Sequence, residues 1–271
     1  MKNINDITYA ECACIRGVLF DIDDTFTLSG KLIPEAFSAL WELHEHGLIL
    51  APISGRPAGW CDHIARMWPV DAVIGENGAF YYYYDKKTHR LEQRYIFDPE
   101  TIAIKRKKLE EIKHEVLLRV PRARISSDQS FRLFDLAVDY TEDVSPLTGQ
   151  EIKEICKIFA DHKATYKVSS IHVNGWFGEY TKLTTTRLFL EERYSISWDE
   201  AKRTFLFIGD SPNDEPMFEA MGLTVGVANL QGFAERMKHL PEYIANGKGG
   251  LGFAETANII LKHKYGKGAN T

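Results

Sequence analysis

The sequence has few cysteines and no long apolar run. Its four cysteines are too scattered for a disulfide scaffold, and we expect them to be reduced. No apolar stretch approaches the roughly 18 residues that span a bilayer, so we expect no membrane partner. The first ten residues, MKNINDITYA, lack the basic start and apolar stretch of a signal peptide. These absences favour a cytoplasmic protein.

The chain also lacks an excess of positive charge. Its 33 Lys and Arg stand against 38 Asp and Glu, which gives a formal net charge of −5. Without a basic field, nucleic acid is not an expected partner, and local groups must hold any anionic ligand. With 271 residues and 44% hydrophobic residues, the chain can bury a sizeable core as one large domain or as a core with an inserted domain. The oligomeric state is not indicated.

Apolar runs with the spacing of strands alternate with helical patterns at both ends of the chain. In the first third, we predict buried strands at 15–20, 48–53 and 72–74, separated by helices that begin at Pro34 and near Ala58. The alternation resumes towards the end, with a helix at 182–194, a strand at 205–208, a helix around 215–221 and a strand at 223–227. This order predicts an α/β fold with one parallel sheet.

The middle of the chain has a different pattern. Aromatic, hairpin-like strands follow residue 81, and two helices are predicted near 100–118 and 148–162 around an alternating strand at 131–140. We therefore predict three segments: core residues 1–82, an inserted α+β domain at 83–175, and core residues 176–271. The last residues, GKGANT, have the composition of a disordered tail.

Polar side chains follow three predicted core strands at the point where each strand ends. The first strand runs into Asp21-Ile-Asp23-Asp24, the second into Ser54-Gly55-Arg56, and the strand at 205–208 into residues 209–214, GDSPND. The carboxyl ends of parallel strands meet in one crevice, where ligands bind. Carboxylates this close disfavour their own ionisation unless a cation lies among them, so the pattern indicates a bound metal ion.

These motifs resemble those of the haloacid dehalogenase superfamily of phosphatases. The DxD motif with a following Thr matches the first family motif, Ser54 the second, Lys182 in GEYTKL the third, and GDSPND the fourth. The resemblance covers roughly residues 14–80 and 176–262. It implies a Rossmann-like parallel core and, from the place and length of the insertion, the large α/β cap of the sugar-phosphate phosphatase subgroup.

The resemblance and the chemistry of the residues together assign roles. Asp21 is the expected nucleophile, which forms an aspartyl phosphate, and Asp23 is the expected general acid and base. Mg²⁺ prefers hard oxygen ligands, and Asp21, the carbonyl of Asp23 and Asp210 would supply three, with Asp214 bound directly or through water. The groups expected to hold the phosphoryl oxygens are Ser54, Gly55, Lys182 and Asn213.

Three further residues are candidates for substrate binding. Arg56 could reach a phosphate or carboxylate, or could instead make a structural salt bridge. Glu76 and Asn77 follow the third predicted strand near the crevice, where Asn-Gly is also a favourable turn. Within the insertion, we expect specificity contacts from 124–132 and 169–176.

The sequence therefore predicts a Mg²⁺-dependent phosphatase of a small phosphorylated metabolite, with a sugar phosphate as the expected class. A phosphosugar mutase would use the same aspartyl phosphate and is the first alternative. A non-catalytic module that binds a phosphorylated metabolite is the second, although such a module would not need the second carboxylate, Asp23.

Overall fold

The computed structural model describes residues 1–169 and 171–266. Within them, the strands are β1 (Lys2–Asn3), β2 (Gly17–Phe20), β3 (Ile49–Pro52), β4 (Val73–Gly75), β5 (Phe80–Asp85), β6 (Arg90–Tyr95), β7 (Arg124–Ile125), β8 (Asp135–Asp139), β9 (Thr165–Val168), β10 (His172–Trp176), β11 (Phe205–Gly209), β12 (Leu223–Gly226) and β13 (Tyr243–Ile244). The helices are α1 (Tyr9–Cys14), α2 (Pro34–Glu45), α3 (Ala58–Met67), α4 (Pro99–Arg119), α5 (Gly149–Asp161), α6 (Lys182–Tyr194), α7 (Trp198–Thr204), α8 (Glu215–Ala220) and α9 (Gly250–Tyr265). The predicted disordered tail lies outside the described residues, except for Gly266.

A six-stranded sheet forms the core, in the order β1-β13-β12-β11-β2-β3, and every neighbouring pair in it is parallel. Its central strands are buried on both faces because helices cover both sides of the sheet, and successive side chains point to opposite sides. Val18 and Phe20 of β2 pack towards α2 and α9, whereas Leu19 packs towards α6 and α8. The predicted α/β fold with a parallel sheet is confirmed.

A three-stranded sheet, β4-β5-β6, adjoins the core. A parallel bridge between Ile53 and Ile74 links it to the end of β3, while β5 pairs antiparallel with both β4 and β6. The predicted boundary after residue 82 therefore falls inside β5. Because β5 hydrogen-bonds to β4, the hairpin up to Tyr95 extends the sheet that adjoins the core.

The inserted segment forms a separate antiparallel sheet, in the order β7-β8-β10-β9, which we call the cap. Helices α4 and α5 cover this sheet, and residues such as Ile112, Val138 and Phe159 form its own hydrophobic cluster. The predicted boundary after residue 175 falls inside β10, one residue before that strand ends. An independent hydrophobic cluster is what allows such an insertion to pack as a unit on the core.

None of the helices in the described ranges is long and apolar enough to cross a membrane.

Candidate active site

Three loops at the carboxyl edge of the core sheet bring the candidate residues together. Asp21 follows β2, and its backbone N–H donates to the Ile208 carbonyl of neighbouring β11 at 3.0 Å. Asp210 follows β11 directly, so the two aspartates leave adjacent strands at the same edge. Lys182 is the first residue of α6, with Thr181 as the N-cap whose side chain accepts from the Thr184 N–H. The carboxyl ends of β2 and β11 and the first turn of α6 therefore bring these three side chains together.

At that point lies a buried acidic cluster. Carboxylate oxygens of Asp21, Asp210 and Asp214 all lie within 4.8 Å of one another. The Lys182 Nζ lies 2.6 Å from Asp21 Oδ1 and 2.9 Å from Asp214 Oδ1. Asp214 also accepts the backbone N–H of Asp210 at 3.1 Å. Three carboxylates therefore share one ammonium group, which leaves two negative charges uncompensated if all are ionised.

The pKa directions in this cluster reflect that imbalance. Burial raises the pKa of Asp210 to about 9, and the charges of Asp214 and Asp21 add to the effect. Burial likewise raises the pKa of Asp21, although Lys182 opposes the shift. The pKa of Lys182 is raised because the two carboxylates outweigh its burial. A divalent cation with oxygen ligands fits this donor set in charge and in chemistry.

Asp210 is held in place by two neutral donors. The Thr25 hydroxyl donates to its Oδ1 at 3.1 Å, and the Asn229 side chain donates to its Oδ2 at 3.0 Å. Asn229 also donates to the Asp24 carbonyl and accepts the Gly249 N–H, so it joins three loops. Asn229 is not among the residues predicted from the sequence. Its position shortly after β12, another strand of the parallel sheet, is the signal that could have identified it.

Asp23 pairs with Arg56. The guanidinium Nη2 lies 2.6 Å from Asp23 Oδ1, and Nε lies 3.0 Å from both carboxylate oxygens. The guanidinium carbon also lies 4.4 Å from the centre of the Trp60 ring. Of the two interpretations left open for Arg56, the structure contains the salt bridge, and it joins the predicted general acid to the loop after β3.

The loop after β3 is held against the turn that follows β4. Ser54 is fully buried; its Oγ accepts the Arg56 N–H at 3.1 Å, and its carbonyl accepts the Asn77 N–H at 3.1 Å. Asn77 has φ 58°, a left-handed conformation that asparagine tolerates, and its amide lies against Gly55. Ser54, Gly55 and Asn77 are therefore neighbours, as expected if they belong to one site.

Glu76 does not face a ligand. Its carboxylate is fully buried and accepts four backbone N–H groups, which belong to Ala58 of α3 and to Leu133, Phe134 and Asp135 of the cap, at 2.6–3.1 Å. The substrate-binding role expected for Glu76 is therefore corrected: both oxygens are occupied in joining the cap to the core. Its sequence position beside Asn77 does not reveal this, because its three cap donors lie more than 55 residues further along the chain.

Asn213 meets the cap through its backbone. Lys167 of β9 places its Nζ 3.4 Å from the Asn213 carbonyl, and its charge interacts with Asp214 and Asp21. Burial and the neighbouring Lys182 lower the pKa of Lys167. Lys167 is not among the residues predicted from the sequence, since a lysine in an exposed edge strand has no distinguishing sequence pattern.

The profile of a family described as haloacid dehalogenase-like hydrolase matches residues 18–167, more than half of the chain. The chain therefore belongs to the haloacid dehalogenase-like hydrolases, and the resemblance predicted from the motifs is confirmed.

Among curated proteins, the chain is 27% identical over 254 residues to a phosphoglycolate phosphatase of Methanospirillum hungatei. The aligned residues cover 92% of this chain and 98% of that protein. A Thermoplasma acidophilum crystal structure superposes with a TM-score of 0.69 at 21% identity, over 92% of this chain and 98% of the other. The structure of the sucrose-phosphatase of Synechocystis, solved with sucrose and phosphate, superposes with a TM-score of 0.60 at 16% identity. The match covers 91% of this chain and 98% of that structure. These structures are similar to this chain in fold.

Proposed function

We propose that this protein is a Mg²⁺-dependent phosphatase that hydrolyses the phosphomonoester of a small metabolite through an aspartyl phosphate on Asp21. The observation that carries the proposal is the buried cluster of Asp21, Asp210 and Asp214 around the Lys182 ammonium group at the carboxyl edge of the sheet. Membership of a hydrolase family supports the same chemistry.

In the first step, a carboxylate oxygen of Asp21 attacks phosphorus while the bond to the leaving-group oxygen breaks. Lys182, which contacts Asp21, is placed to balance negative charge on the transferring phosphoryl oxygens. Ser54 and the amide of Gly55 are the expected additional donors. When bound among the three aspartates, Mg²⁺ supplies Lewis-acid stabilisation of the same charge.

Asp23 has the proton-transfer role in this proposal. It protonates the leaving-group oxygen in the first step and takes a proton from the attacking water in the second, which releases phosphate and restores Asp21. Arg56 orients the Asp23 carboxylate through its three contacts of 2.6–3.0 Å. The cap, joined to the core through Glu76, limits the access of bulk water.

The expected substrate class is a sugar phosphate. This expectation comes from the place and length of the cap, and the structural similarity to a sucrose-phosphatase is consistent with it. The phosphoglycolate phosphatase relative makes a phosphorylated two-carbon acid the second class to test.

The test is phosphate release from sugar phosphates, 2-phosphoglycolate and other phosphorylated metabolites, with Mg²⁺ and with a chelator, by wild type and Asp21→Asn. We expect release that requires Mg²⁺ and is lost in Asp21→Asn. Isomerisation of a hexose phosphate without release would support the mutase alternative instead. Binding without either reaction would overturn catalysis altogether.

A further inference from the structure

A cavity of about 460 Å³ opens beside the proposed general acid. One wall is the loop after β2, which carries Ile22 and Leu32, and another is helix α3. Phe131, which precedes β8 in the cap, closes the third side. Asp23 and Arg56 both line the cavity, so it is continuous with the candidate active site.

The walls of this cavity are mainly apolar. Trp60, Trp68 and Ile64 contribute side chains from α3 and its end, and Phe131 faces them from the cap. Trp60 is 45% exposed and Phe131 is 54% exposed. Aromatic side chains that line a concave surface beside a reaction centre are typical of a ligand pocket.

Several polar groups of the lining already have protein partners. Arg56 pairs with Asp23, and the Thr27 hydroxyl donates to the Ile22 carbonyl and accepts the Asp24 N–H. Among the described lining residues, His63 and the indole N–H groups of Trp60 and Trp68 are the further hydrogen-bonding groups. A ligand with many hydroxyl groups, or with a second carboxylate, would bury polar groups here with few partners, which is unfavourable.

Gly59 lets the cap approach α3 closely at this cavity. A Cβ atom at this position would lie 2.9 Å from Cβ and Cδ1 of Phe131, closer than ordinary van der Waals contact. The aromatic ring of the cap therefore packs directly over the helix backbone. The two aromatic walls, Trp60 and Phe131, belong to the core and to the cap respectively, so the pocket exists only where the two units meet.

We propose that this aromatic pocket, defined by Trp60, Trp68 and Phe131, binds the leaving group of the substrate and selects an uncharged aromatic ring. The proposal rests on the proposed phosphatase function, in which Asp23 protonates the leaving-group oxygen. Since Asp23 lines the pocket, the group attached to that oxygen extends into it. Ring burial against aromatic side chains favours an aryl-bearing alcohol over a free sugar or a two-carbon acid, so this inference replaces the sugar phosphate expected from the cap by a phosphomonoester of an aryl-bearing alcohol.

The test compares 2-phenylethyl phosphate with ethyl phosphate, whose alcohols leave with similar ease and differ by the ring. In wild type with Mg²⁺, we expect kcat/KM to be at least about 30-fold higher for the phenyl compound. In Trp60→Ala and in Phe131→Ala, the ratio of the two kcat/KM values should fall to within about threefold of one. Using the ratio within each variant removes general effects on folding or catalysis.

Trp41→Ala is the matched control, because Trp41 is 44% exposed on α2 and does not line the pocket. Its ratio should equal that of wild type. Glucose 6-phosphate and 2-phosphoglycolate, run beside the pair, should both have lower kcat/KM than the phenyl compound. A ratio near one in wild type, or an equal loss of ratio in Trp41→Ala, would overturn the pocket assignment.

A binding measurement separates this proposal from the phosphatase function. Titration calorimetry with the non-hydrolysable 3-phenylpropylphosphonate and propylphosphonate should give at least about tenfold tighter binding of the phenyl compound. If that preference is found but no phosphate is released from any substrate, the phosphatase function fails and the pocket stands. If phosphate is released without any preference for the ring, the pocket fails and the phosphatase function stands.

Discussion

Two buried clusters in this protein contain three carboxylates around one cation, and they differ in what surrounds the carboxylates. One is the acidic cluster of the candidate active site, with Lys182 as its cation. The other, which we call the junction cluster, lies where cap and core meet: Arg132 forms ion pairs with Asp128 and Asp135, and its charge also interacts with Glu76. Charge count alone does not distinguish them.

The junction cluster is saturated by donors from the protein. Glu76 accepts four backbone N–H groups, and Asp135 accepts from Arg132 and from Asn174. Asp128 accepts two bonds from Arg132 and one from the Ser126 hydroxyl. Every carboxylate oxygen in this cluster has a fixed partner, so the cluster acts as a structural connection.

The active-site cluster has fewer donors. Within the described residues, Asp21 accepts one side-chain hydrogen bond, from Lys182, and its carboxylate oxygens lie close to those of two other aspartates. Carboxylates that retain free lone pairs can bind a metal or attack an electrophile. The comparison indicates that the supply of donors, not the number of acidic residues, separates a reactive cluster from a structural one.

The largest expected effect comes from Asp21→Asn in the active-site cluster. The substitution keeps the size of the side chain and removes its nucleophilic oxygen, so kcat/KM for phosphate release should fall by at least about 10⁴-fold. The variant should still unfold cooperatively, because it removes one of three like charges. If the variant kept a kcat/KM within tenfold of wild type, Asp21 would not be the nucleophile.

Asp135→Asn tests the junction cluster. It leaves the Arg132 guanidinium buried with one of its two carboxylate partners neutralised, and we expect a loss of about 3 kcal/mol in the free energy of unfolding. Urea denaturation measures this. Asp161→Asn, in the exposed Lys157–Asp161 pair, is the matched control and should leave the midpoint unchanged. Equal effects of the two substitutions would contradict a stabilising junction.

Mg²⁺ should distinguish the two clusters directly. At a Mg²⁺ concentration 100 times its Kd, binding to the folded state should stabilise wild type by about 2.7 kcal/mol, and a chelator should reverse the gain. The gain should be lost in Asp210→Asn and kept in Asp135→Asn, as measured by thermal unfolding. If Mg²⁺ stabilised wild type, Asp210→Asn and Asp135→Asn equally, the ion would not bind in the active-site cluster.

The smallest expected effect concerns the cap lysine. Lys167→Met should raise KM about fivefold with a smaller change in kcat, because Lys167 contributes positive charge near the site without contacting Asp21. Lys157→Met, an exposed cap lysine, is the control and should leave KM unchanged. If the KM values of the two variants agree, Lys167 has no part in substrate binding.

Much of the core could be predicted from the sequence. The parallel sheet follows from short apolar runs that alternate with helical patterns, and both depend on local spacing. Asp21, Ser54 and Asp210 were placed together because loops at the carboxyl ends of parallel strands converge whatever the details of packing. The two predicted domain limits, after residues 82 and 175, each fall inside a strand, because local spacing does not indicate which unit a strand near an insertion pairs with.

The sequence by itself thus determined the fold class, the family and the residues that follow the core strands, because each of these is encoded in short contiguous stretches. The tertiary structure alone decided that Glu76 joins cap to core, that Asn229 supports Asp210, and that an aromatic pocket borders Asp23. The physical reason is that each of these depends on groups distant in the chain, whose distances are set only when the core strands assemble and, for Glu76 and the pocket, when the cap packs against the core.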